Sequence, residues 1–322
     1  CTGISPMIGF SASGGALYAV ASSAPGESIV AVGGSDERVQ LFNVLTRRTC
    51  GDLYGHNGSI TCLAFSPDNR YLLSGAEDGE IIIWRLSDCM ALHKLNVKNV
   101  QKVISMAMHP SGRMIIALYA NGMIRLWNLL DARCLFKKKV GLSGEDASED
   151  EYDDEDEAEG SEKAEPKELA APVMTNKYLN RPELVRWEPT EGKMYAVLFG
   201  RLLEVFTVED DGDTPVHSVE FDSAQTSFAF ISATSLVVSD LKGRLTLFSN
   251  LGDVENVTMR ITETESKKIK VVSSSPDQTF FVTIGDDHLS LWNSEDFAEA
   301  GEADQEGDLI CKATPEQEYS HN

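Results

Sequence analysis

The chain has 322 residues, of which 42% are hydrophobic and 25% charged, and its formal net charge at pH 7 is −23. No run of 18 apolar residues occurs, so the composition excludes a membrane-spanning helix, and no membrane partner is expected. The six cysteines show no CxxC spacing, which argues against a cysteine metal site and predicts reduced thiols in an intracellular protein.

The first clear element in the chain is the stretch 55–84, GHNGSITCLAFSPDNRYLLSGAEDGEIIIW. Two β-favouring segments, beginning at Ile60 and at Tyr71, are separated by Ser66-Pro67-Asp68-Asn69, and all four of those residues favour a turn. The pattern predicts an antiparallel hairpin.

A second turn at Glu77-Asp78-Gly79 leads into a third strand, residues 81–84, with Gly79 free to adopt a positive φ. A fourth strand is expected at about Met90 to Leu95. Since one such sheet cannot bury both of its faces alone, the chain is expected to contain similar neighbouring sheets.

Those neighbours are marked by aromatic residues that end each predicted third strand. They recur about every 42 to 44 residues within each half of the chain, the period of a β-propeller blade. Besides Trp84, the anchors are Phe42, Trp127, Phe206, Phe248 and Trp292. In four repeats, an Asp or Asn stands six residues before the anchor. In the other two, this position is occupied by Gly200 and Lys242, so these two repeats are predicted to lack the turn carboxylate or amide.

In the stretch 55–84, His56, Ser74, Asp78 and Trp84 resemble the hydrogen-bonded His, Ser, Asp and Trp network of WD-repeat blades. The resemblance implies that these side chains are structural and fix the turn between strands two and three. It gives them no role as catalytic groups or metal ligands. Because only this repeat carries the full set, the other blades are expected to depend more on packing.

The repeats therefore predict an all-β fold, a WD-repeat β-propeller formed as a single domain by residues 1–322. The resemblance implies seven blades, and six are recognisable. The seventh is expected to be incomplete or assembled from both termini, which would remove exposed sheet edges.

An acidic insertion, residues 141–172, interrupts the repeats between blades three and four. Within it, residues 144–168 hold 14 carboxylates and two lysines, so disorder is expected. It is interpreted either as a solvated loop or as a flexible polyanion that engages basic proteins. Ser148 is followed by three acidic residues, a pattern that resembles acidophilic kinase sites, and is the candidate phosphosite.

No catalytic, cofactor-binding or metal-binding pattern stands out. Residues 9–13, GFSAS, begin like a nucleophile elbow but lack its final glycine, and no phosphate-binding glycine loop is present. The histidines are not spaced as a metal pair, and His109 is interpreted as a loop residue. We expect neither an enzyme nor a cofactor, metal or small-molecule substrate. Contact with RNA stays open because of two lysine clusters, 137–139 and 267–270.

A closer resemblance is carried by the stretch 55–84, by AMHPSGRMIIALYANGMIRLWNL at 107–129 and by LVRWEP at 184–189. These segments are similar to the p21-activated-kinase-interacting WD-repeat family, whose fungal members are the maintenance-of-killer WD-repeat proteins. The resemblance implies a nucleolar or nuclear factor that assembles the large ribosomal subunit. The implied partners are ribosome-assembly factors, ribosomal proteins and precursor ribosomal RNA. An adaptor that restrains a p21-activated kinase is the alternative, and a chaperone of basic proteins is a third.

In WD propellers, partners often bind the face that carries the turns between the second and third strands. We expect the carboxylates Asp36, Asp78 and Asp286 to brace these turns. Their charged neighbours are then the candidate partner-binding residues, namely Glu37, Arg38, Glu77, Glu80 and Asp287.

Overall fold

The chain folds into consecutive antiparallel sheets of four strands each. The computed structural model describes residues 15–95, 101–140, 182–208, 214–253, 256–264, 266–286, 288–299 and 309–313. Sheet one contains β1 (Leu17–Ser22), β2 (Ile29–Gly34), β3 (Arg38–Asn43) and β4 (Arg48–Tyr54). Sheet two contains β5 (Ile60–Phe65), β6 (Tyr71–Ala76), β7 (Ile81–Arg85) and β8 (Met90–Leu95). Sheet three contains β9 (Val103–Met108), β10 (Met114–Tyr119), β11 (Met123–Asn128) and β12 (Cys134–Lys139).

The second half of the chain repeats this arrangement. Sheet four contains β13 (Pro182–Trp187), β14 (Met194–Phe199), β15 (Leu202–Thr207) and β16 (His217–Glu220). Sheet five contains β17 (Gln225–Phe230), β18 (Leu236–Asp240), β19 (Arg244–Ser249) and β20 (Thr258–Glu263). Sheet six contains β21 (Ile269–Ser274), β22 (Phe280–Gly285), β23 (Leu289–Asn293) and β24 (Leu309–Ala313), with the short helix α1 (Ser294–Glu299) between the last two strands.

The turns of sheet two explain why its strands begin and end where they do. Asn69 adopts a φ of 56° in the first turn, where the Ser66 hydroxyl donates to Asp68. Gly79 adopts a φ of 79° in the second turn. The hairpin, the third strand and the fourth strand over Met90–Leu95 predicted from the sequence are thus confirmed.

The core is divided among the spaces between neighbouring sheets. The first strand of each sheet packs against the first strand of the next, from β1 through to β21. An apolar cluster fills each of the five spaces in this series. Between sheets two and three, for example, Leu73, Ile83 and Leu95 pack against Ile115 and Tyr119. This arrangement confirms the β-propeller class of fold.

Each first strand carries a β-bulge at its second residue. The bulged residues are Tyr18, Thr61, Ile104, Glu183, Thr226 and Lys270. Where the bulged residue is threonine, its hydroxyl lies near carbonyls of its own sheet and of the next. The Thr61 hydroxyl lies 3.0 Å from the carbonyl oxygen of Gly75 and 2.7 Å from that of Val103, and Thr226 repeats the arrangement between sheets five and six. The bulge thus gives two sheet junctions a polar contact besides their apolar cluster.

The two ends of the series present apolar faces. Tyr18 and Val20 of sheet one are exposed, as are Val271, Phe280 and Ile284 of sheet six. Among the described residues, β21 and β1 do not pack against each other as neighbouring first strands do. The predicted seventh blade falls mainly on residues 1–14, 300–308 and 314–322, which lie outside the described ranges, whereas Leu309–Ala313 complete sheet six. The acidic insertion, residues 141–172, also lies wholly outside them.

Candidate interaction face

The turn between β6 and β7 is held by a chain of side-chain hydrogen bonds. The indole Nε1 of Trp84 donates to the hydroxyl of Ser74 at 2.7 Å. That hydroxyl lies 2.7 Å from Nε2 of His56, whose Nδ1 lies 3.2 Å from the Asp78 carboxylate. Every atom is satisfied when Ser74 donates to Nε2 and the proton of a neutral His56 resides on Nδ1. The structure therefore brings together the four residues of the predicted network.

Asp78 connects this network to the backbone of the turn. Its carboxylate accepts hydrogen bonds from the backbone N–H of Asn57 and of Glu80, both at 2.9 Å. Burial is the main cause that lowers the pKa of His56, although Asp78 acts in the opposite sense. The neutral imidazole is thus suited to hold a loop and a turn together.

A metal ion does not fit this cluster well. One ligand atom from each of His56, Asp78 and Glu80 lies within 4.8 Å of the others, the one such group among the described residues. However, both nitrogens of His56 already have hydrogen-bond partners. The ammonium group of Lys94 lies 3.8 Å from Glu80 and supplies positive charge there. The arrangement is that of a structural brace.

The other five aromatic anchors are all buried in the third strand of their sheets, and they are Phe42, Trp127, Phe206, Phe248 and Trp292. In sheet six, Trp292 keeps part of the network, because its Nε1 donates to the Thr283 hydroxyl at 3.0 Å. In sheet three, Ala117 stands at the position of Ser74 and offers no hydroxyl to Trp127.

Sheet five contradicts the prediction that its turn has lost a carboxylate. The carboxylate is supplied by the buried Asp240, two residues before Lys242. It accepts from the backbone N–H of Lys242 at 2.8 Å, from Nε of Arg244 at 2.7 Å and from the hydroxyl of Ser223 at 2.9 Å. Burial raises the pKa of Asp240, but these hydrogen bonds outweigh burial and hold it below its ordinary value. Sheet five therefore fixes the same turn with a different set of residues.

The candidate partner-binding residues of sheet one lie on this face of turns. Glu37 is exposed and adopts a φ of 61°. Arg38 forms ion pairs with Asp36 at 2.7 Å and with Asp52 at 3.4 Å, so its guanidinium is held in place.

In sheet two, Glu77 is exposed and pairs with Lys102 at 2.7 Å, across the junction with sheet three. A hydrogen bond from Lys102 is the main cause that lowers the pKa of Glu77. Glu80 is half-buried. Two further candidates, Asp287 and Ser148, lie outside the described residues.

His109 has a role that the sequence did not indicate. Its Nδ1 accepts from the backbone N–H of Ser111 at 3.0 Å, so its Nε2 carries the proton and donates to the carbonyl of Gly192 at 3.2 Å. Its ring meets that of Trp187 edge to face, with centroids 4.8 Å apart. His109 therefore joins sheet three to sheet four. Its position before a Pro-Ser-Gly turn gave no sign of this long-range contact.

In the described part of the chain, six four-stranded sheets are packed in series and one of them carries a His-Ser-Asp-Trp network, which defines a WD-repeat β-propeller. Two family comparisons agree with this class: the WD domain, G-beta repeat family matches residues 47–85, and the anaphase-promoting complex subunit 4 WD40 domain matches residues 74–143. The first match covers β4, the last strand of sheet one, and the first three strands of sheet two. The sequence repeat therefore begins one strand before the sheet does. Neither match indicates a family of enzymes.

The chain is similar to p21-activated protein kinase-interacting protein 1-like from Danio rerio, with 25% identity over 303 residues, 90% of this chain and 66% of that protein. The protein of the same name from Xenopus laevis is 39% identical over 82 residues, 25% of this chain and 22% of that protein. Protein MAK11 from Saccharomyces cerevisiae is 32% identical over 71 residues, 17% of each chain. The resemblance found in the sequence is thus confirmed. The chain spans less than two thirds of the first two relatives.

In the described part of the chain, no helix has the length and apolar character needed to cross a bilayer.

Proposed function

We propose that this protein is a non-catalytic scaffold in the nucleolar assembly of the large ribosomal subunit. The scaffold role is supported by the face of braced turns. On this face, His56 and Asp78 fix one turn and Asp240 fixes another. Charged side chains such as Glu37 and Glu77 stay exposed there. Rigid turns that present exposed charges suit the docking of other macromolecules. The ribosomal assignment, and a place in the nucleus or nucleolus, are supported by the similarity to MAK11, a maintenance-of-killer protein.

Purification of a tagged copy, followed by identification of the bound RNA and proteins, tests this function. We expect large-subunit precursor RNA together with assembly factors and ribosomal proteins. Charge reversal at Glu77 and Glu80 is expected to weaken partner binding by more than the modest loss of stability that follows from breaking their ion pairs with Lys102 and Lys94. The matched control is Glu27→Lys, an exposed carboxylate in the turn between β1 and β2. Absence of precursor RNA would refute the ribosomal role, and normal binding by the Glu77 and Glu80 variants would refute this face.

The alternative is an adaptor that binds and restrains a p21-activated kinase. The names of the Danio rerio and Xenopus laevis relatives favour it, since both are described as kinase-interacting. Direct binding of the purified protein to the regulatory segment of a p21-activated kinase, without precursor RNA in the tagged purification, would select the adaptor.

A third proposal concerns the acidic insertion. Its 14 carboxylates between residues 144 and 168 favour binding to basic proteins such as ribosomal proteins or histones. Deletion of residues 145–168 should then weaken binding to a basic protein at low salt, and phosphorylation of Ser148 should strengthen it. Unchanged affinity after the deletion would refute the idea.

A further inference from the structure

A cavity of about 320 Å³ lies between sheets four and five, close to their outer strands. Sheet four contributes Leu203, Val205 and Val219 to its lining, and sheet five contributes Phe248, Leu251 and Val257. His217 and Ser218 of β16 also line it, and Nε2 of His217 lies 3.0 Å from the carbonyl oxygen of Leu251. The cavity therefore combines apolar side chains with two polar ones and is large enough for one bulky side chain of a partner.

The strand register extends this apolar surface outward along β20. Met259 pairs with Phe248, and Ile261 pairs with Thr246, so both project from the face of sheet five that meets sheet four. Arg260, between them, projects from the opposite face and lies over a ring of α1. Met259 is 56% exposed and Ile261 is 52% exposed. The cavity and these two side chains form one surface, which we call the β16–β20 groove.

The β16–β20 groove carries more carboxylates than basic groups. Arg244 stands opposite Glu263 on the neighbouring strand, but its guanidinium is held by Asp240 and Asp222. Glu263 lies on the same face of β20 as Ile261 and is exposed, and Asp253 is exposed two residues after Leu251. Among the described residues, neither lysine nor arginine lines the cavity. Of the net charge of −23, −12 lies in residues 144–168 of the acidic insertion and −11 in the rest of the chain. A ligand that combines apolar and positively charged groups is therefore complementary to the groove.

We propose that the β16–β20 groove docks a short basic segment of a partner protein. A large apolar side chain of that segment enters the cavity, and lysines or arginines on either side of it meet Asp253 and Glu263. The groove deepens the proposed scaffold function and rests on it, because it names the chemical class of one partner. It runs along the outer strands, from Asp253 after β19 to Glu263, whose register partner Arg244 binds the carboxylate of the braced turn at Asp240.

Three fluorescein-labelled peptides test the proposal by fluorescence anisotropy, with the full chain and with the variant that lacks residues 145–168, so that binding to the acidic insertion is separated from binding to the groove. The first places two leucines between clusters of lysine and arginine, the second replaces the leucines with serine, and the third replaces the basic residues with glutamate. We expect the first peptide to bind tightest, with an affinity that falls as salt is raised.

The double substitution Met259→Ser and Ile261→Ser should weaken binding of the first peptide by about tenfold or more, because two half-exposed apolar side chains no longer contribute buried area. The matched control is Met90→Ser, at a methionine that is 61% exposed on the outer strand of sheet two. This variant should bind like the unaltered protein. A thermal unfolding measurement on each variant checks that it is folded.

The proposal is wrong if the first peptide does not bind, if the serine peptide binds equally well, or if the double variant binds like the control. Its failure is distinguishable from failure of the ribosomal role. If the protein purifies with large-subunit precursors but binds none of the peptides, the ribosomal role is supported and the proposed docking site is refuted. If the protein binds the first peptide through Met259 and Ile261 but purifies without precursors, the docking site is supported and the ribosomal role is refuted.

Discussion

Replacement of Ser74 with alanine is expected to destabilise the protein far more than the loss of one oxygen atom suggests. The hydroxyl is fully buried and lies 2.7 Å from both Nε1 of Trp84 and Nε2 of His56. Without it, two ring nitrogens stay buried and lack their partner. Each such atom costs about 1–3 kcal/mol, so the free energy of unfolding should fall by about 2–6 kcal/mol.

Urea unfolding followed by tryptophan fluorescence measures this loss, and Thr283→Val is the matched control. The Thr283 hydroxyl accepts one hydrogen bond from a buried indole, that of Trp292 at 3.0 Å, so its removal should cost about 1–3 kcal/mol. A double-mutant cycle of Ser74→Ala with Trp84→Phe should also show coupling between the two sites. The reasoning is refuted if Ser74→Ala costs less than about 1 kcal/mol or no more than the control.

Three further outcomes are expected from unfolding measurements. Burial is the main cause that lowers the pKa of His56 and of His109. The free energy of unfolding should therefore be highest above about pH 6.5 and fall below it, because the unfolded chain binds protons at a higher pH than the folded chain does. A free energy of unfolding that stays constant from about pH 7.5 to 5.5 would contradict this. Asp240→Asn should cost about 2 kcal/mol or more, whereas Asp222→Asn, at the exposed partner of the same arginine, should cost less than about 1 kcal/mol. Thr61→Val should cost about 1–2 kcal/mol and Thr61→Ser much less, and equal effects would contradict the hydroxyl bridge between sheets two and three.

Local sequence patterns predicted sheet two well because its turns depend on residues close together in the chain. Gly79 and Asn69 adopt positive φ where the turn sequences place them, and the fourth strand occupies Met90–Leu95 as expected. The family network was also visible, because His56 and Trp84 stand at fixed distances from the turn at Asp78.

The contacts that sequence reasoning missed join residues far apart in the chain or outside the expected spacing. Asp240 does not follow from the repeat spacing, because the expected turn residue stands six positions before Phe248 and this carboxylate stands two positions earlier. The bulged position of each first strand has no residue preference, since threonine, tyrosine, isoleucine and lysine all occupy it. The exposed face of Met259 and Ile261 follows from pairing with β19, which no local pattern specifies.

The boundary between sheets three and four has a consequence for how the chain tolerates added length. β12 ends at Lys139 and β13 begins at Pro182, and in the described part of the chain each of these strands forms its backbone ladder with a strand of its own sheet. Residues can therefore be gained or lost between them without shifting the pairing of any strand. The same junction is a suitable site to splice in a fluorescent or affinity tag, and a chain carrying such a tag is expected to keep all six sheets.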